Sequence, residues 1–151
     1  MHTSLLNSCY SDSMIESMIQ AVRVKYSYMD YLQCSYEDGA LLNAPSELDY
    51  HAFEGYYNAA VTAYQSVCEL VEKPLEAVLG SVGIEKFVDM MANSINSLVA
   101  LMNFLADSHE YGLIKRQPMY DGGDLFEENH YSVRDAISDA LAYMEEHKML
   151  N

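Results

Sequence analysis

Glu127 and His130 stand in E-x-x-H spacing, and Glu47 and Glu54 flank His51 at helical distances. Carboxylates and imidazoles so arranged are the ligand types of a di-iron bundle. That site needs two E-x-x-H motifs and a further Glu from each of two other helices, all facing inward. Here there is one such motif, and it falls in a segment read as loop. His51, Glu47 and Glu54 belong to the polar side of their helix. The run DGGDLFEEN, residues 121–129, collects Asp121, Asp124, Glu127 and Glu128, the oxygen donors a hard divalent cation takes. Its spacing is not that of an EF-hand, and glycines between aspartates read first as a solvated turn. A metal-binding bundle is therefore the third reading, and no metal or cofactor is expected.

Nucleophilic chemistry has less support. Cys9, Cys34 and Cys68 match no zinc spacing, and none adjoins a basic residue that would hold a thiolate. There is no G-x-S-x-G elbow and no glycine-rich phosphate loop. The expectation is a protein that is not an enzyme.

Charge is the stronger signal. The chain carries a formal −15, with only eight Lys and Arg in 151 residues. Between Lys25 and Lys73 lie eight acids and eight of the thirteen tyrosines, with no basic residue. A soluble helix ordinarily mixes signs, because Glu and Lys four apart stabilise it by ~0.2–0.5 kcal/mol and like charges do the reverse. A phosphate backbone is bound by Lys and Arg, so direct nucleic-acid binding is excluded, as is attraction to an anionic membrane. A surface rich in Arg and Lys would complete such a flank, since carboxylates hydrogen-bond guanidinium groups and phenol rings stack on them. The contact residues expected are Glu37, Asp38, Glu47, Asp49 and Glu54, with Tyr28, Tyr31, Tyr36 and Tyr50 as exposed aromatics off or beyond the apolar stripes.

The elements that must carry these residues are helical. Ile15, Met18, Ile19, Val22, Tyr26 and Met29 recur at threes and fours, which only an α-helix aligns. Ser13 and Glu16 make a capping box ahead of them. Gly39, Asn43 and Pro45 mark a loop. A second helix starts at Ser46, with Asp49 at its third position and the stripe Phe53, Tyr56, Tyr57, Ala60, Tyr64, Val67, Cys68 and Val71. Pro74 kinks or restarts the chain, and Gly80 and Gly83 end that stretch. A third helix over 84–107 is apolar nearly all round in its second half, which places it at the centre of a bundle. The last helix is expected to start at Ser132, with Asp135 completing its capping box. Residues 109–131 read as a long loop, in which only 112–120 could supply a short strand.

The fold expected is all-α, a single-domain bundle of four to five helices spanning 1–151, with a long loop near 109–131. Half the residues are apolar, enough for a core without disulfides or metal. The N-terminus lacks the basic and apolar regions of a signal peptide, and the longest charge-free apolar run, LVALM, is too short to span a bilayer. A cytoplasmic protein is expected. The function expected is binding: occupation of the groove of a basic nucleic-acid-handling protein, as DNA mimics of the antirestriction, anti-CRISPR or nuclease-immunity kind do. The alternative is a structural module that is acidic only for solubility, its ten Met and many Tyr making a homodimer or larger homo-oligomer contact.

Overall fold

The computed structural model describes residues 10–37, 47–110 and 125–149; within these, the side chains of 35–37, 47–50, 109–110 and 125–126 lie outside the described set. Among these described residues five α-helices follow one another: α1 (Asp12–Glu37), α2 (Glu47–Gln65), α3 (Leu75–Ser81), α4 (Ile84–Glu110) and α5 (Leu125–Glu146), with a 3-10 turn at Leu70–Glu72. There is no strand among the described residues, and none of their helices is long and apolar enough to cross a membrane. The architecture is an all-helical bundle, as the periodicity requires.

Helix α1 begins earlier than its apparent capping box. Ser11 supplies the cap: its Oγ accepts from the Met14 N–H at 3.1 Å, which places Asp12 and Ser13 inside the helix. The Asp12 carboxylate in the first turn complements the positive end of the helix dipole, which favours the longer start. The buried face then runs through Ile15, Met18, Val22, Lys25, Met29 and Leu32, alternating three and four residues, with Met14, Ala21 and Tyr28 beside it. This arc is wider than one stripe because α1 packs against α5, α4 and α2 together. The wider arc also explains why Tyr26, expected on the apolar stripe, is 59 % exposed while Tyr28 is 1 % exposed.

Helix α2 stops at Gln65 although the apolar pattern continues to Val71. The Tyr64 carbonyl accepts from both Val67 N (3.1 Å) and Cys68 N (2.8 Å), so the last turn tightens toward three-residue spacing. Ser66 Oγ donates to the Ala63 carbonyl at 2.7 Å, competing at the same place. Val67 and Val71 still reach the core, whereas Cys68, expected to be buried, is only half-buried. Pro74 restarts the chain as α3. Gly80 lies inside that helix, and Gly83, at φ 93°, is the residue that ends it. Its N–H reaches back to the Val78 carbonyl at 3.4 Å, beside the Val82 bond to the same oxygen.

The core is one cluster joining all five helices. Its centre is shared rather than belonging to the third long helix alone: α4 packs on α1, α2 and α3, while α1 meets α2, α4, α5 and the 3-10 turn. Asn93 and Asn103 of α4 remain exposed. The long loop expected over 109–131 is contradicted at its end. Helix α5 starts at Leu125, seven residues before Ser132, with Glu127 and Glu128 in its first turn where the dipole favours acids. Residues 112–120, the one candidate strand, lie outside the described residues.

Inside the core sits a lysine. Lys25 is 0 % exposed, and its Nζ donates to the Ser94 carbonyl (2.7 Å), Ser94 Oγ (3.1 Å) and Ser97 Oγ (3.0 Å) of α4. No carboxylate pairs with it among the described residues. Burial pulls the amine from its ordinary 10.5 down to about 7. Ser97 Oγ donates its own proton to the Ser94 carbonyl at 2.8 Å, which holds that hydroxyl in place beside the amine. The three serine oxygens match the three N–H donors of the ammonium.

Two outcomes follow from this packing. Gly83→Ala places a β-carbon in open space but forces an L-residue to positive φ, so thermal unfolding should show a loss of about 1 kcal/mol from backbone strain. Between pH 7 and 10.5 the unfolded chain keeps a proton on Lys25 that the folded chain has released, so this group makes stability rise with pH through that window. Below pH 7 both states hold it and the cost is full. Lys25→Met should accordingly stabilise the protein by about 1–3 kcal/mol at pH 6 in denaturant titrations, with the gain shrinking as pH rises toward 9.

Candidate partner-binding groove

Two rows of side chains face each other across α1 and α2. From α1 come Tyr26, Met29, Asp30 and Gln33; from α2 come Tyr57, Val61, Tyr64 and Gln65. They enclose a pocket of about 230 Å³ whose walls are mostly apolar. The pairing follows from antiparallel packing, in which Tyr26 meets Tyr64 and the later residues of α1 meet the earlier ones of α2. The Tyr26 and Tyr64 rings lie 6.1 Å apart, tilted by 33°. Tyr57 stacks on buried Phe53 at 5.6 Å, which fixes its place in the wall. Burial, followed by the neighbouring Cys68, Glu72 and Tyr26, raises the Tyr64 phenol above its ordinary range, so it stays neutral.

The groove lies within the acidic, tyrosine-rich third of the chain. Asp30 is exposed on its rim and has no ion pair among the described residues. Glu54 is exposed three residues ahead of Tyr57, with its Oε1 4.0 Å from His51 Nδ1. Glu69 is exposed in the turn beyond α2. At the far end Arg23 crosses from α1, donating from Nε to Glu72 at 3.1 Å and from Nη2 to the Val71 carbonyl at 2.8 Å. That acid is relieved, contrary to the expectation of an unbroken anionic flank. Lys25, at one border of the acidic stretch, is turned into the core and relieves none, while Lys73 at the other border is exposed beside Glu72.

The remaining expected contacts divide three ways. Tyr28 is corrected: it is buried, its hydroxyl 3.2 Å from His130 Nδ1 and its ring edge-on to the imidazole at 6.3 Å. Burial and nearby Tyr31 push its phenol well above the usual range. Tyr31 is half-buried against the core. Glu37 on α1 and Glu47, Asp49 and Tyr50 on α2 are helical, but their side chains lie outside the described residues, as do the side chain of Tyr36 and the whole of Asp38.

The metal-type spacings do not come together among the described residues. His130, expected in a loop, is a buried helical residue facing Tyr28, while His51 is on the exposed side of α2. Among the described residues, no three His, Cys, Asp or Glu side chains are grouped as metal ligands would be. Asp121 and Asp124 lie outside that set. A larger hollow of about 590 Å³ near Lys86, Asp89, Asn93 and Lys148 is open to solvent, mixes both signs of charge and is lined by no aromatic side chain. It offers water exchange more than recognition, and the α1–α2 groove is the better site.

The sequence missed Lys25 and Tyr26. The signal for Lys25 was a polar residue on the buried repeat of α1 matched by Ser94 and Ser97 on the apolar face of α4. No protein-family model matches the chain, and neither a curated protein nor a solved structure matches it. Tyr28→Phe should lower stability by about 1 kcal/mol in urea titrations, because the hydrogen bond to His130 is lost while the ring packing remains.

Proposed function

We propose that this protein acts by binding, and that its partner is a basic nucleic-acid-handling protein whose binding groove it occupies in place of nucleic acid. The class is that of acidic inhibitors: antirestriction, anti-CRISPR or nuclease-immunity proteins. The observation that carries this reading is the turning of Lys25 into the core. It leaves Asp30 exposed at a tyrosine-lined groove and Glu54 and Glu69 exposed on α2 and in the turn beyond it, with Arg23 engaged at Glu72 and the Val71 carbonyl. Mutual repulsion among these acids is relieved when a cationic surface arrives. The field of a −15 chain also draws such a surface in and speeds encounter. The phenols add contact area at low entropic cost.

The test is capture of partners from the native host's lysate at low and then high salt. Basic nucleic-acid-binding proteins should be retained at low salt and released at high salt. Changing Glu47, Asp49 and Glu54 together to Lys should weaken capture by about ten-fold or more, with unchanged helical circular dichroism. Retention that ignores both salt and these changes would remove the electrostatic basis of the proposal.

A further inference from the structure

The groove has a size and a chemistry that specify more than a general attraction. Its roughly 230 Å³ is several times the ~30 Å³ of a water molecule and less than the ~300–1,000 Å³ of sites that hold drug-sized ligands or cofactors. One long side chain suits it. Its walls offer Tyr26, Tyr57 and Tyr64 with Met29 and Val61, and its rim offers the exposed carboxylate of Asp30. Among the described residues no Lys or Arg lines it, so an anion would find no counter-charge there.

Aromatic walls beside a carboxylate attract a cation, through the ring quadrupole and through charge-assisted hydrogen bonds. Of the two cationic side chains, a guanidinium is planar and weakly hydrated, so it stacks on phenols and pairs with a carboxylate through a fork of N–H groups. An ammonium is compact and holds its water strongly. Tyr26, with more than half its surface in solvent, is the kind of exposed ring that such stacking covers. We propose that the pocket between α1 and α2 receives the guanidinium of a single arginine presented by the basic partner, with Tyr26, Tyr57 and Tyr64 around it and Asp30 accepting its hydrogen bonds. The inference rests on the binding reading above and names the residue-level site within it. The neutral phenol of Tyr64 keeps that wall attractive to a cation over the physiological range.

The experiment uses the full chain carrying carbon-13-labelled tyrosine, followed by NMR as N-acetyl-arginine amide is added. The citrulline analogue, of the same shape without the charge, and the lysine analogue are run in parallel. Saturable shifts confined to Tyr26, Tyr57 and Tyr64 are expected with arginine, weaker ones with lysine and none with citrulline. Asp30→Asn should weaken the arginine response about five-fold, and Tyr26→Ala should do so comparably. Both positions are exposed, so circular dichroism should be unchanged. An equal response to citrulline, a response indifferent to Asp30→Asn, or no saturable response overturns the pocket. If that happens while charge reversal at Glu47, Asp49 and Glu54 still weakens capture about ten-fold or more, the pocket falls alone and the partner reading stands. If arginine amide binds as described but capture ignores salt, the partner reading falls instead.

Discussion

Helix α1 has to satisfy three neighbours at once, and this constraint shapes much of the bundle. One apolar stripe would serve one partner. Packing against α2, α4 and α5 requires a broader arc, which Met14, Ala21 and Tyr28 supply beside the main repeat. At the middle of that repeat the chain places a lysine. An isolated charge in a dry core costs far more than any one packing contact returns, so the amine yields basicity and the serines of α4 supply hydrogen bonds. Ser94 and Ser97 stand on the part of α4 that meets α1, so the lysine and the two hydroxyls answer each other.

This burial has an electrostatic consequence at the surface. A lysine at the edge of an acidic segment would ordinarily be available to it. Here it is withdrawn, and among the described residues the cation that crosses to the acids is Arg23, at Glu72. The flank near Asp30 thus keeps its charge while the helices that carry it are pinned by apolar contacts. Preorganisation of this kind matters for binding, because phenols already fixed by stacking, as Tyr57 is on Phe53, lose little freedom when a partner covers them.

How much of this was legible in the sequence depends on whether the information was local. The helical periods of α1, α2 and α4 were plain, because Met18, Phe53 or Ile95 must repeat at threes and fours to share a face. The restart at Pro74 was equally local. Boundaries were less so. Ser11 and Ser13 both offer a hydroxyl ahead of a helix, and the choice of Ser11 turns on the small contribution of Asp12 at the dipole, which a capping-box pattern masks. Glu127 and Glu128 looked like loop acids or cation ligands when they were first-turn residues of α5. The exposure of Tyr26 and the burial of Tyr28 were out of reach, since they turn on how many neighbours α1 has. The groove was further still, because it depends on the register of α1 against α2, which no single segment encodes. The acid and tyrosine bias was visible, but not which tyrosines share a wall.

Lys25 carries one more implication. An amine that burial lowers to about 7 is partly unprotonated at neutral pH and so more nucleophilic than a surface lysine, and its burial between α1 and α4 keeps electrophiles from it. The speed at which an acylating reagent modifies it, compared with surface lysines, becomes a clock for transient separation of those two helices. The molecule thus holds a built-in reporter of its own breathing, at the point where its interior is least like oil.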